Sequence, residues 1–320
     1  MAHKLVIIAV IGLSASAVCM GAAAAIGGNE FGNGFDDFSL FDGRPRCEAV
    51  AGAAAASRDL DWDGSDHLGL AVNGHASYAP GSGNEVHVSG DPQILAHLRV
   101  HHGDIEMDCR GWRDRTKELA MTLPGREFRK FEIAGGGNLI LDKLAQSGLK
   151  IEIAGSGSVK ANGKVDDLKI EVAGSGKADL DQITARQAKI EIAGSGTVKA
   201  NGNVDDLKMT IAGSGDVDFS QITVRQGKFE IAGSGSIKAK GAVDELDISI
   251  AGSGRANFGE VTSRNARVEI GGHGNVDIAP TEEAKIEIGG SGDVYLHSDP
   301  KKLDTDIGGS GRIHRLGSAS

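Results

Sequence analysis

The chain has 320 residues and a formal net charge of −10, with 48 glycines and an aromatic content of only 4 %. A glycine share about twice the usual ~7 %, with so few rings, excludes one large aromatic-rich core and favours small, similar cores stacked in series. The acidic balance leaves no basic stripe to neutralise phosphates, so nucleic acid is excluded as a partner.

The N-terminus, "MAHKLVIIAVIGLSASAVCMGAAAAIGG", places Lys4 before an apolar run from Leu5 to Leu13 and ends in Ala23, Ala24 and Ala25. These are the three regions of a secretory signal peptide over residues 1–25, which predicts export to the periplasm or the cell surface. An uncleaved anchor is the alternative, because Leu5 to Ile26 approaches the ~20 residues that span a bilayer. With the signal removed, the mature chain is expected to carry no transmembrane segment. Cys19 follows bulky Val18, a poor context for lipidation.

Residues 26–46 form a glycine- and aspartate-rich linker that nevertheless holds Phe31, Phe35, Phe38 and Phe41, expected to pack over an open end of a repeat array. Residues 47–130 read as an N-terminal cap with degenerate strands, because "LDWDGSDHLGLAVNGHASYAPGSGNEVHVSG" alternates. "DPQILAHL" predicts a short helix with Asp91 as N-cap and Pro92 at the first helical position. Cys47 and Cys109 are an even pair in an oxidising compartment, which predicts one disulfide stapling the cap. His75, His87, His97, His101 and His102 raise the question of metal. The strand-like "LRVHHGDIEMD" keeps His97 and His101 from sharing a helix face, and no metal is expected.

The array occupies residues 131–311, before a tail at 312–320. Tetrads of the "AGSG" type begin at Ala134, Ala154, Ala173, Ala193, Ala212, Ala232, Ala251, Gly271, Gly289 and Gly308, spaced 18 to 20 residues apart. Ten copies exclude a nucleotide-binding loop, which needs one strand, one glycine turn and a helix behind it. The spacing alternates 20, 19, 20, 19, and residues 154–192 match 193–231 at 27 of 39 positions, so the duplicated unit is a pair of repeats. One member carries "VKANGKVDDL"; the other carries "DLDQITARQ".

Each repeat enters its turn through "KIEI", "KIEV" or "KFEI". Period-two alternation puts Ile151, Ile153, Ile190, Ile192, Phe229 and Ile231 on one buried face. The file Lys150, Lys169, Lys189, Lys208, Lys228 and the file Glu152, Glu171, Glu191, Glu230, Glu269 fall on the other, expected to be solvated. A repeat this short cannot bury its own apolar face, so identical positions must stack in an all-β, single-stranded parallel β-helix of about ten rungs. Rungs ~4.8 Å apart make a rod roughly 45 Å long.

Its corners are assigned to Gly155, Gly157, Gly174, Gly176, Gly194, Gly196, Gly213, Gly215, Gly233, Gly235, Gly252 and Gly254, where a side chain would obstruct the turn. The serines between them, such as Ser175 and Ser195, are expected to stack as a hydroxyl ladder. Calcium is not expected: Asp216 and Asp293 fall one residue after the tetrad, out of register for a "GGxGxD" site. The rungs repeat the same charges instead of assembling a unique carboxylate pair, so no catalytic or cofactor-binding residue is nominated and a polysaccharide lyase or hydrolase is the alternative reading. His273, Pro280, Tyr295 and His297 are the visible departures from the repeat.

The repeated "I-E-I-A-G-S-G-x-V", the "SGDPQILAHLRV" segment and the export signal together resemble the bacterial head GIN domain family of putative auto-transporter adhesins, over about residues 47 to 311. The resemblance implies a right-handed helix, an adhesin-like role and no catalytic residues. Only "RIHRLGSAS" follows Gly311, so the membrane barrel of an auto-transporter is not expected here. The expected partner is a cell-envelope protein or polysaccharide, met over strand faces through many weak polar contacts.

Overall fold

Alternation such as Lys-Ile-Glu-Ile needs a neighbour to cover its apolar side, and the computed structural model shows how the chain supplies one. It describes residues 45–111 and 117–316. The signal segment, Phe31, Phe35, Phe38, Phe41, Trp112 and residues 317–320 lie outside the described residues. The protein is all-β, 70 % strand and 2 % helix, with stacked parallel coils forming a β-solenoid of about nine turns.

Seven short strands open the fold: β1 (Ser57–Asp61), β2 (His67–Leu70), β3 (Gly74–Tyr78), β4 (Glu85–Ser89), β5 (Leu98–His101), β6 (Asp104–Met107) and β7 (Leu119–Thr122). Helix α1 (Pro92–Ala96) lies between β4 and β5; the Asp91 side chain accepts from the Gln93 N–H at 2.9 Å, as its N-cap position predicts. After β8 (Lys130–Gly135), each long strand is nearly a whole coil: β9 (Asn138–Gly155), β10 (Ser158–Gly174), β11 (Lys177–Gly194), β12 (Thr197–Gly213), β13 (Asp216–Gly233), β14 (Ser236–Gly252), β15 (Arg255–Ile270) and β16 (Asn275–Ile288). β17 (Asp293–Leu296), β18 (Lys302–Ile307) and β19 (Arg312–Arg315) complete the stack.

Every pairing from β8 to β19 is parallel and sets like on like: Ile170 beside Ile190, Ala173 beside Ala193, Gly174 beside Gly194. Within β10 the inward residues run Val159 and Ala161, then Val165, then Leu168, Ile170 and Val172. The run of inward residues is interrupted at 162–164, around Gly163, and again at 166–167, and the glycine tetrad makes the third break, so each coil has three corners. Ile151, Ile153, Ile192, Phe229 and Ile231 are completely buried. Each such side chain contributes about 1.5–3 kcal/mol, so the coils are held chiefly by this aliphatic file.

The corners explain the alternation of 19 and 20 residues. In the shorter coils the second corner is a tight glycine turn; Gly163, Gly202 and Gly241 have φ near +120° (126°, 120° and 120°). In the longer coils an extra residue is absorbed as a bulge, and the register of β10 on β11 shifts between Lys160 and Asn162. At the tetrad, Gly233 has φ +126°, and a Cβ there would lie 2.5 Å from the Gly213 carbonyl oxygen. The corner is stitched through the backbone: Ser175 N–H donates to Gly155 O and Ser195 N–H to Gly174 O, each at 2.8 Å. The serines themselves stand in an exposed column, and the bonds that tie this corner come from their N–H groups, where the sequence suggested a hydroxyl ladder.

The N-terminal end is built differently. β2 continues the solenoid onto β8 and β3 onto β9, both parallel, but β1 pairs with β4 and β4 with β7 antiparallel. Under this ribbon Trp62, Tyr78, Phe128 and Phe131 meet edge to face, with ring centroids 5.2–5.8 Å apart. Their polar tips are satisfied, Trp62 Nε1 by Ser65 O and Tyr78 OH by Arg126 O, both at 3.0 Å. Cys47 and Cys109 are disulfide-bonded, with Cα atoms 4.9 Å apart, and tie the first described residues to this end.

A candidate binding groove and the charged files beside it

The corner between Val165 and Ile170 does not close flush. Repeated in register from β10 to β16, it leaves an open groove of about 870 Å³ running along the solenoid. Seven coils at ~4.8 Å give it a length of about 29 Å. Its floor is the column Leu168, Ala188, Leu207, Gly227, Leu246, Ala266. The floor leucines are only 2–4 % exposed, so they close the core beneath the groove. Gly227 is required by packing, because a Cβ there would lie 2.7 Å from the Phe229 ring.

One wall alternates acids with amides: Asp167, Gln187, Asp206, Gln226, Glu245, Asn265. Cross-coil partners fix the acids in place. Arg186 Nη2 lies 2.6 Å from Asp167, Arg225 Nη2 lies 2.5 Å from Asp206, and Asn265 Nδ2 donates to Glu245 at 2.9 Å. The other wall is the cationic file, Lys169, Lys189, Lys208 and Lys228, continued after Asp247 by Arg267 and Lys285.

Behind these cations lies the glutamate file, and the structure corrects its expected solvation. Glu152, Glu191 and Glu230 are buried, at 2 %, 8 % and 8 % exposure. The reason is geometric: the lysine stems of two successive coils lie over each carboxylate, covering it while delivering their ammonium groups. Glu152 is paired with Lys150 of its own coil and with Lys130 of the preceding coil at 2.7 Å. Glu171 likewise meets Lys169 and, at 3.1 Å, Lys150. Burial alone would raise the Glu171 carboxyl, but hydrogen bonds from Lys169 and Lys150 hold it down at about 2. Burial would depress the Lys150 ammonium, and its hydrogen bonds to Glu152 and Glu171 raise it instead.

The lattice breaks at two coils. Thr210 replaces a glutamate, so Lys208 reaches only Glu230 of the next coil, at 3.8 Å. Asp247 and Ser249 replace the next-but-one Lys–Glu pair. Burial pushes the Asp247 carboxyl up, against the attraction of Lys228, because Glu269 also repels it.

The histidines are occupied by neighbours. His75 Nε2 lies 2.8 Å from Glu118, His87 Nδ1 2.5 Å from Asp59, and the His101 and His102 rings lie 4.0 Å apart, tilted at 43°. His97, Asp108 and Cys109 are near enough to share an ion, but the Cys109 sulfur is committed to the disulfide and offers no thiolate. The departures near the C-terminal end fall in columns other than those of the groove: His297 Nε2 meets Asp277 at 2.8 Å, Tyr295 stacks on His314, and His273 Nδ1 bonds Ser291 Oγ.

The sequence profile of the family described as "Putative auto-transporter adhesin, head GIN domain" matches residues 69–219 and 198–300. The chain belongs to this family. No curated protein matches the sequence. Among solved structures, this head GIN domain protein is similar to a putative adhesin from Parabacteroides distasonis at 14 % identity, covering 81 % of this chain and 96 % of that one, with a TM-score of 0.48. A putative adhesin from Parabacteroides merdae is similar at 16 % identity over 81 % and 95 %, TM-score 0.46. A putative lipid binding protein from Parabacteroides distasonis is similar at 20 % identity over 81 % and 96 %, TM-score 0.45. Among the described residues no helix is long and apolar enough to cross a membrane.

The sequence pointed to the two charged files and missed the groove. Its signal was present in the paired motifs: aligning "VDDLK" with "ARQAK" and "VRQGK" places Leu168, Ala188, Leu207 and Gly227 in one column beside alternating acids and amides.

Proposed function

We propose that this chain is an exported, adhesin-like β-solenoid that binds cell-envelope material, protein or polysaccharide, along the groove. The observation that carries the reading is the groove itself: a continuous concavity over seven coils, walled by charged and amide side chains whose positions are fixed by cross-coil ion pairs. Side chains already held in place lose little conformational freedom on binding, so many weak contacts can add along a rod. The family's adhesin description, the disulfide and the signal-like N-terminus support export to the periplasm or cell surface.

Binding is favoured over catalysis because the groove repeats one set of ion pairs every second coil and assembles no unique acid and base. The histidine–carboxylate pairs, His75 with Glu118, His87 with Asp59, His97 with Asp108 and His297 with Asp277, all lie outside the groove. The test is sedimentation of the full chain with purified envelope fractions. Saturable retention, lost when Gln187→Trp and Gln226→Trp crowd the groove from its exposed wall, is the expected result. Absence of retention on every wall, glycan and membrane fraction would overturn the reading.

A further inference from the structure

Resting on that reading, we infer that the groove takes a linear, uncharged polysaccharide of equatorially linked sugars, one disaccharide for every two coils. Charge comes first. The groove walls carry the cations Lys169, Lys189, Lys208, Lys228, Arg267 and Lys285 against the acids Asp167, Asp206, Glu245, Asp247 and Glu283. The two signs nearly cancel, and the glutamates behind the lysines add further negative charge. A polyanion finds no net attraction here, and a polycation would have to displace lysines and arginines already paired with these carboxylates.

An extended polypeptide fits poorly for two further reasons. Its usual means of docking on a β-fold is to pair with a free strand edge, but the groove crosses strands whose backbones pair with the coils on either side. Side-chain anchoring also fails, because the floor leucines are almost wholly buried and the groove holds no deep apolar socket for an aromatic hot spot.

The periodicity fits a sugar chain. Coils rise by ~4.8 Å, close to the advance of one equatorially linked pyranose, and the groove chemistry repeats every two coils, ~9.6 Å. In an extended β-1,4 chain successive sugars turn opposite faces to one side, so the chemical repeat is also two units. An extended peptide repeats its side chains every ~6.8 Å and falls out of step. At Ala188, Gly227 and Ala266, 39 residues apart, a small floor residue is flanked by an amide (Gln187, Gln226, Asn265) and a cation (Lys189, Lys228, Arg267). The cations are held over Glu191, Glu230 and Glu269 at 3.0, 2.9 and 2.5 Å, leaving further N–H donors for hydroxyls. The amides offer both donor and acceptor, as hydroxyl and acetamido groups require.

The experiment measures binding of the full chain to β-1,4-linked N-acetylglucosamine oligomers of two, four and six sugars, with maltohexaose, an axially linked chain, as control. Affinity is expected to rise by roughly tenfold from tetrasaccharide to hexasaccharide as a third site engages. It is expected to change by less than about twofold between ~0.05 and ~0.5 M salt. Replacing Gln187, Gln226 and Asn265 together by alanine is expected to lower hexasaccharide affinity at least about tenfold with the unfolding midpoint little changed. Failure to bind the hexasaccharide, equal binding of maltohexaose, or affinity that collapses with salt overturns the inference. Envelope retention that survives glycan digestion and is abolished by protease also overturns it, while leaving groove binding in place. Loss of all envelope retention defeats both.

Discussion

The Lys150 ammonium lies 3.1 Å from the Glu171 carboxylate one coil further along, while it also pairs with Glu152 of its own coil. Lys150, Lys169 and Lys208 therefore staple one coil to the next, and Lys169 and Lys208 also wall the groove. Glu171, held at about 2 against an ordinary 4.5, binds fewer protons folded than unfolded. Its stabilisation is present above the unfolded value and is lost as pH falls from ~4.5 through ~2. Glu171→Gln should cost about 1–2 kcal/mol at pH 7, after allowance for solvent screening, and the deficit should shrink towards pH 2. Urea denaturation at several pH values measures it.

Asp247 has the opposite sign. Its folded carboxyl is raised from 3.8 by burial, so the folded state holds the proton more tightly and stability falls as pH rises through the raised value. Asp247→Asn should stabilise the protein at pH 7 by a few tenths to about 1 kcal/mol and give no gain below pH ~3.8. Thermal midpoints at pH 3 and pH 7 check the crossover.

Much of this was legible in the sequence. The tetrad count and the Lys-x-Glu pattern led to parallel coils, to Ile170 beside Ile190, and to the lysine and glutamate files. The burial of Glu152 was not legible, because period two assigns a residue to a face without saying how far the lysines of neighbouring coils fold over it. The groove was hidden for a related reason: concavity arises where two corners fail to meet, and no single repeat contains it. The antiparallel ribbon of β1, β4 and β7 also escaped notice, since alternation alone does not tell strand direction.

Two glycines separate conformational need from mere occurrence. Gly233→Ala forces a Cβ to 2.5 Å from a backbone oxygen at φ +126° and should cost about 2–4 kcal/mol. Gly148→Ala meets nothing within 4 Å. It should be neutral or stabilising by up to about 1 kcal/mol. Chemical denaturation of both variants checks the contrast.

The disulfide closes a separation of 62 residues, all within the N-terminal end. Cys109→Ser should lower stability there by about 2–4 kcal/mol while the central coils, which touch only their neighbours, keep theirs. Hydrogen exchange should show faster amides in β1 to β7 and unchanged protection in β11 to β14.

The central claim is that the groove, and not another side of the rod, meets the envelope. Carboxyl footprinting by mass spectrometry tests it directly, with the full chain free and then saturated with the envelope fraction that retains it. Groove binding predicts that Asp167, Asp206 and Glu245 lose reactivity while Asp179 and Asp218, in columns outside the groove, stay labelled. Protection of Asp179 and Asp218 with the groove acids still reactive would contradict it.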